Sequence, residues 1–202
     1  MADHLEIEQK FDVDAGFALP DLRTVPGCSA VSGPVTYQLA ATYYDTADTR
    51  LAGAKITLRR RTGGTDEGWH LKLPAGANRR EVQEPLSAGD EGHVPPRLAG
   101  LVADAAGGGA LAPIAIVRTQ RTVTTLHSSS PTGVLAEVAD DLVTAERTTG
   151  ARAGEPVRWR EVEVEVPEGT PAQAMRAAAE LLLAAGARPA AKGSKLARLL
   201  DG

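Results

Sequence analysis

The stretch "HLEIEQKF", residues 4–11, alternates along its length in the manner of a β-strand. With a period of two, one face of such a strand is mostly apolar and the other is fully charged. The charged face consists of Glu6, Glu8 and Lys10. This face either borders water or holds something charged, and the strand taken alone leaves both interpretations open.

Composition narrows the classes of function that the chain could have. At 202 residues the chain is long enough for one domain with its own core. Its 26 acidic and 22 basic residues give a net charge of only -4, which does not favour nucleic acid or membrane as a partner. Cys28 is the only cysteine, so the chain can form neither an internal disulfide nor a thiolate zinc site. An apolar leader and an apolar run of about 18 residues are both absent, so we expect a cytoplasmic protein.

Eight segments alternate or are rich in β-branched and aromatic residues, which predicts strands. They are residues 6–13, 36–46, 55–62, 67–74, 78–86, 114–127, 133–147 and 158–166. Short strands in succession favour an antiparallel sheet curled into a barrel over alternating βαβ units. The expected fold class is therefore α+β, predominantly β: an eight-stranded antiparallel barrel with a few flanking helices, in one domain over residues 1–202.

Two or three helices are predicted. Residues 172–185 form the clearest one, with Thr170 as a candidate N-cap and Gly186 at its end. A shorter helix is expected within 95–106, and residues 14–35 are expected to be an irregular connection. The tail "KGSKLARLL", residues 192–200, could form either a short strand or a helical turn.

Charges of one sign gather on single strand faces. Glu161, Glu163 and Glu165 share a face, whereas Arg59 and Arg61 belong to a basic one. Neighbouring like charges are destabilising unless an ion of opposite sign lies between them. Clustered carboxylates suit a hard cation such as Mg²⁺ or Mn²⁺, and clustered guanidinium groups suit phosphate. The competing interpretation is an ordinary sheet with valines inside and charges in water.

These segments together resemble the CYTH domain of the triphosphate tunnel metalloenzyme superfamily. The elements that carry the resemblance occur in family order across nearly the whole chain. They are "EIEQK" (6–10), "TYYDT" (42–46), "TLRRR" (57–61), "WHLKL" (69–73), "RREVQ" (79–83), "VRTQR" (117–121), "EVADD" (137–141), "EVEVEV" (161–166) and "KGSKLAR" (192–198). The resemblance implies an eight-stranded antiparallel tunnel with its charged residues pointing inward.

The resemblance also implies roles for individual residues. Carboxylates would hold Mg²⁺ or Mn²⁺: Glu6, Glu8, Glu137, Asp141, Glu161 and Glu163. Cations would bind phosphate: Lys10, Arg59, Arg61, Lys72, Arg80, Arg118, Arg121, Lys192 and Lys195. Glu6, Glu8 and Lys10 would be catalytic. Period-two alternation favours solvated surface for Arg60 and Arg79.

The implied activity is metal-dependent hydrolysis of a triphosphate-containing substrate, with inorganic triphosphate as the first candidate and orthophosphate as product. Phosphoryl transfer depends on positioning and electrostatics, so the mechanism requires no nucleophilic side chain. Two alternatives remain: an adenylate cyclase acting on ATP, and a module that binds polyphosphate or a nucleotide without turnover. The expected partner is a small triphosphate or polyphosphate, not a nucleic acid polymer or a membrane. Relatives with "FDVDAGFALPDL" after the first strand often carry a helical CHAD domain, so the chain could be part of a longer protein.

Overall fold

A computed structural model describes residues 2–76, 78–129 and 133–202, with side chains described from residue 7 onward. Nine strands within this part form one sheet in which all pairs of strands run antiparallel. They are β1 (Ala2–Val13), β2 (Ala30–Asp45), β3 (Thr57–Thr62), β4 (Gly68–Ala75), β5 (Asn78–Glu84), β6 (Ala112–His127), β7 (Val134–Arg147), β8 (Val157–Val166) and β9 (Arg188–Pro189). The helices are α1 (Arg50–Gly53), α2 (Pro96–Leu101), α3 (Ala103–Ala106), α4 (Ala172–Ala184) and α5 (Lys195–Asp201), with 3-10 turns at Leu22–Thr24 and Leu86–Ala88.

Strand β1 links the two ends of the strand series. The order is β5-β4-β3-β2-β6-β7-β8-β1-β9, and β1 also pairs with β5. Residues 2–6 of β1 pair with β5, and residues 7–13 pair with β8. The predicted tunnel fold, mostly β with few helices, is therefore confirmed.

Two parts of the outer face of the sheet are apolar and lie under helices. Val162 and Val164 of β8 are fully buried in one cluster with Leu182 of α4. On the opposite side, Leu71 of β4 packs in a second cluster with Leu98 of α2. Because side chains alternate along a strand, burying these valines and leucines outside directs the charged residues between them inward.

The segment "TYYDT" ends β2 and builds the turn into α1. The carboxylate of Asp45 is fully buried and accepts hydrogen bonds from the backbone N–H groups of Thr46, Leu51 and Ala52 at 2.6, 2.8 and 2.9 Å. Lys55, expected in the next strand, precedes β3 and has a positive φ of 60°. The aspartate of this segment therefore has a structural role.

Helix α5 packs into one end of the tunnel. Leu196 and Leu199 are almost fully buried in a third cluster with inward-facing residues, among them Tyr43 of β2, Val117 of β6 and Val143 of β7. Ser194 is the N-cap, and its hydroxyl accepts a hydrogen bond from the N–H of Ala197 at 3.1 Å. The tail of the chain is thus the helical alternative of the two that the sequence left open.

Two further local predictions were wrong, and a third was incomplete. Residues 30–35 belong to β2, because they pair with β6 across a register shift between Ser32 and Val35. The short helix expected within 95–106 is present as α2, and a second one, α3, follows it after Val102. The N-cap of α4 is Pro171, which offers no side-chain hydrogen bond, and not Thr170. None of the described helices is long and apolar enough to cross a membrane.

Candidate functional site

A charged cavity lies inside the tunnel, and we call it the central cavity. Strands β1, β3, β4, β5, β6 and β8 and the start of α5 all contribute side chains to its wall. Eight of the residues predicted for the site line it: Glu8, Lys10, Arg59, Arg61, Lys72, Arg121, Glu163 and Lys195. The fold thus gathers cations and carboxylates from distant parts of the sequence around one space.

Three carboxylates form a buried acidic cluster, which reaches the cavity wall through Glu163. Asp141, Glu161 and Glu163 each place an oxygen within 4.8 Å of the others. The Lys195 ammonium lies among them, at 2.8, 2.7 and 2.8 Å from their oxygens respectively. Burial acts against its charge, but the charges of these carboxylates raise the pKa of Lys195 well above its usual value. The acidic cluster is therefore arranged around a positive centre.

Two further cations bind the acidic cluster from the cavity side. Lys10 donates hydrogen bonds to Glu8, at 2.7 Å, and to Glu163. Arg121 makes a bidentate contact with Asp141 at 2.9 and 2.6 Å and also reaches Glu163. Despite its burial, Glu163 has a pKa held well below the usual range by Lys10, Lys195 and Arg121. Glu163 is thus charged at neutral pH.

The opposite wall of the central cavity is rich in cations. Arg59 and Arg61 on β3 face inward, and the Nε atom of each is buried with no hydrogen-bond partner among the described residues. Burial, together with the charges of Arg59 and Arg121, lowers the pKa of Arg61 to about 9. Unpartnered buried donors and crowded positive charges both favour an anion with several acceptor oxygens.

Glu81 is a carboxylate within this cationic wall. It lines the cavity, and His70 Nδ1 lies 2.6 Å from its Oε1. Although burial opposes it, the hydrogen bond from His70 and the charges of Lys72 and Arg59 hold the pKa of Glu81 below its usual range. Burial lowers the pKa of His70 to about 4. The histidine thus positions the carboxylate from behind the cavity wall.

Three cations predicted to bind phosphate do not line the central cavity. Arg80 is exposed, Arg118 is bonded to Glu146 at 2.9 Å on the surface, and Lys192 pairs with Asp201 outside. Alternation gives the reason for Arg118, because Arg121 lies three residues later and faces inward. These three residues are placed away from the other site residues.

On β5 the roles of two neighbouring arginines are reversed from those expected. Arg79, expected on the solvated surface, lines the central cavity together with Glu81 and Gln83, and its guanidinium lies beside Gly193. Arg80 lies between these inward-facing residues in the sequence, so its side chain is on the outer face of the sheet. Reading β5 backward from Glu81 with a period of two would have found Arg79.

Two predicted metal ligands lie apart from the acidic cluster. Glu137 is exposed and borders a separate hollow with Tyr37 and Thr65. The backbone of Glu6 pairs with Arg79, but its side chain falls outside the described part of the chain. The cavity wall also contains residues that the sequence did not single out for the site: Asp66, Glu81, Gln83 and Glu165.

The structure is an antiparallel tunnel in which a cationic wall faces a buried acidic cluster. A protein of this class is suited to hold a polyanion beside a cation. The chain belongs to the CYTH domain family, whose model matches residues 4–200. Two uncharacterised proteins from strains of Mycobacterium tuberculosis are each 41% identical over 210 residues, covering 98% of this chain and 40% of the relative. The chain thus spans about two fifths of the length of these curated relatives.

Solved structures share the fold at low sequence identity. A candidate adenylate cyclase from Bacillus halodurans superimposes with a TM-score of 0.66 at 17% identity, covering 98% of both chains. A candidate adenylyl cyclase from Hippeastrum, described as having a dominant triphosphatase activity, gives 0.51 at 19% identity and covers 98% of this chain and 96% of that one. At these sequence identities, the structural similarity shows only that the folds are alike.

Proposed function

We propose that this domain is a metal-dependent phosphohydrolase that cleaves a phosphoanhydride bond of a triphosphate, with inorganic triphosphate as the reference substrate. The observation that carries the proposal is the central cavity itself. One wall presents Arg59 and Arg61 with unsatisfied donors, and the other presents Glu163, behind which Asp141 and Glu161 complete the acidic cluster. A pure anion-binding site would gain nothing from carboxylates at its wall, whereas a triphosphate bound with a metal uses both.

The carboxylates fit the metal that the family uses. Hard divalent cations take oxygen ligands, and the acidic cluster offers three carboxylates whose oxygens lie within 4.8 Å of one another. Asp141, Glu161 and Glu163 would hold it, with Glu8 and Glu6 of β1 as further candidates. When bound, Mg²⁺ or Mn²⁺ would neutralise phosphate charge and lower the pKa of a water.

The cations supply positioning and charge stabilisation. Arg59 and Arg61 present several N–H donors that match phosphate oxygens, and Lys72 and Arg79 extend the same wall. Lys10 lies between Glu8 and Glu163, where it can contact phosphate while holding both carboxylates in place. Such positioning is the main requirement of phosphoryl transfer.

A phosphate-release panel tests the proposal. Inorganic triphosphate, ATP, thiamine triphosphate and long-chain polyphosphate would each be incubated with Mg²⁺, Mn²⁺ or EDTA. We expect orthophosphate from triphosphate only with a divalent cation, and its loss in Glu163→Gln. Pyrophosphate and a cyclic nucleotide from ATP would instead identify a cyclase. Tight triphosphate binding without any product would identify a binding module.

A further inference from the structure

Asp66 brings a carboxylate to the cationic wall from the turn between β3 and β4. It lines the central cavity and forms an ion pair with Arg61. Its backbone carbonyl accepts a hydrogen bond from Arg61 Nη2 at 3.3 Å and lies 2.9 Å from His70 Nε2. The side chain of Asp66 is 52% exposed, whereas that of Arg61 is 6% exposed. Asp66 therefore covers Arg61 from the solvent side.

The contact with Asp66 leaves Arg61 only partly satisfied. The Nε atom of Arg61 remains buried without a hydrogen-bond partner among the described residues. Arg59 and Arg121 add positive charge around it. A phosphate group offers more acceptor oxygens than one carboxylate, so a substrate phosphate and the Asp66 carboxylate would compete for the same guanidinium.

The side of the tunnel that contains Asp66 is acidic. Glu8, Glu165 and Glu137 lie opposite one another on the neighbouring strands β1, β8 and β7. Glu137 borders a hollow together with Thr65, the residue before Asp66. At the other end, Leu196 and Leu199 of α5 fill the tunnel. Glu8 and Glu165 line the central cavity and Glu137 lies beyond it, so a phosphate chain too long for the cavity would have to extend past all three carboxylates, where like charges repel it.

We propose that Asp66 is a specificity-determining residue, which competes with substrate phosphate for Arg61 and, together with the carboxylates of Glu8, Glu165 and Glu137, restricts the site to short phosphate chains. The inference rests on the proposed function only in that the ligand is a phosphate chain. It narrows the substrate class to short chains that end inside the central cavity. Discrimination of this kind comes from an unfavourable contact with the wrong ligand.

The experiment compares Asp66→Asn with Glu67→Gln as a matched control. Glu67 lies on the same turn and accepts a hydrogen bond from the N–H of Gly63, so its variant removes one charge without changing the contact with Arg61. Titration calorimetry in EDTA would measure the affinity for inorganic triphosphate and for a linear polyphosphate of defined length. Steady-state rates with Mg²⁺ or Mn²⁺ would separate KM from kcat.

We expect Asp66→Asn to bind triphosphate roughly three- to tenfold more tightly, and the longer chain by a larger factor, with kcat changed less than about twofold. Glu67→Gln should change either affinity by less than about twofold. Equal effects of the two variants, an unchanged affinity in Asp66→Asn, or no triphosphate binding by any of the proteins would overturn the inference. Tighter binding without phosphate release in any protein would support the inference and refute the hydrolase.

Discussion

The Nζ atom of Lys195 lies 2.8 Å from Oδ2 of Asp141, and the two side chains are only 9% and 0% exposed. This ion pair joins the first residue of α5 to the middle of β7. It fixes the helix that fills one end of the tunnel to the acidic cluster at its centre. The same ammonium also contacts Glu161 and Glu163, so one lysine balances three carboxylates.

Replacing Lys195 with methionine should destabilise the fold and make its stability depend on a divalent cation. Breaking a buried ion pair from one side costs about 3 kcal/mol, because the three carboxylates stay buried with only Lys10 and Arg121 to compensate their charge. Mg²⁺ or Mn²⁺ that binds the folded acidic cluster should restore part of the loss. Thermal unfolding of Lys195→Met with metal and with EDTA measures both effects.

Lys192→Met is the matched control, since Lys192 pairs with Asp201 at the surface. It should cost less than about 1 kcal/mol and show no added metal dependence. If the unfolding temperature of Lys195→Met did not change when Mg²⁺ or Mn²⁺ was added, the assignment of the acidic cluster as a cation site would be contradicted.

Neighbouring arginines on β3 should differ sharply in their effect on turnover. Arg59 lines the central cavity, whereas Arg60 pairs with Glu91 at 3.5 Å on the outer side. Loss of a charge-assisted hydrogen bond costs about 1.5–3 kcal/mol, so Arg59→Gln should lower kcat/KM for triphosphate at least tenfold. Arg60→Gln should stay within about twofold of the wild type. Comparable losses in both variants would mean that β3 does not present alternate faces to the substrate.

The inward position of Arg79 and the outward position of Arg80 on β5 can be tested in a similar way, by measuring binding alone. Arg79→Gln should weaken the affinity for triphosphate in EDTA several-fold, because its guanidinium lies on the cavity wall. Arg80→Gln should leave that affinity nearly unchanged, because Arg80 is on the exposed face. Calorimetric titration of the two variants with triphosphate measures both affinities. If Arg80→Gln weakened binding more than Arg79→Gln, the expectation from the sequence, that Arg80 binds phosphate and Arg79 is solvated, would be correct.

Acid should selectively remove the stability that the acidic cluster contributes. Burial opposes ionisation, but Lys10, Lys195 and Arg121 depress the pKa of Glu163 in the folded state. A depressed carboxyl pKa contributes stability above the unfolded pKa of about 4.3, and this stability is lost as the pH falls toward the folded value. The difference in unfolding free energy between the wild type and Glu163→Gln should therefore be constant above about pH 5 and shrink below about pH 4.5.

Urea unfolding between neutral and acidic pH measures this difference. Glu168→Gln, an exposed carboxylate in the turn before α4, is the control and should track the wild type throughout. A gap between the wild type and Glu163→Gln that persists unchanged in acid would show that the stabilisation does not come from the charge of Glu163.

Alternation within strands was the part of the structure that local sequence could predict. Glu163 and Arg59 face inward as expected, because the apolar residues beside them must be buried under helices. On β5 the prediction was wrong although the rule holds, because Arg80 shares the outer face of buried Val82 whereas Arg79 shares the inward face of Glu81. The prediction for residues 30–35 failed because their strand is defined by pairing with β6, which lies far away in the chain.

By itself, the sequence determined which residues share a strand face and hence that the carboxylates and cations of this protein form two separate sets. Only the tertiary structure decided how those sets meet. Glu163 and Lys195 are separated by 32 positions, yet they hydrogen-bond at 2.8 Å because α5 turns into the tunnel. The physical reason is that period-two alternation is a property of each strand, whereas the position of a helix in the tunnel depends on burying Leu196 and Leu199 against many strands at once.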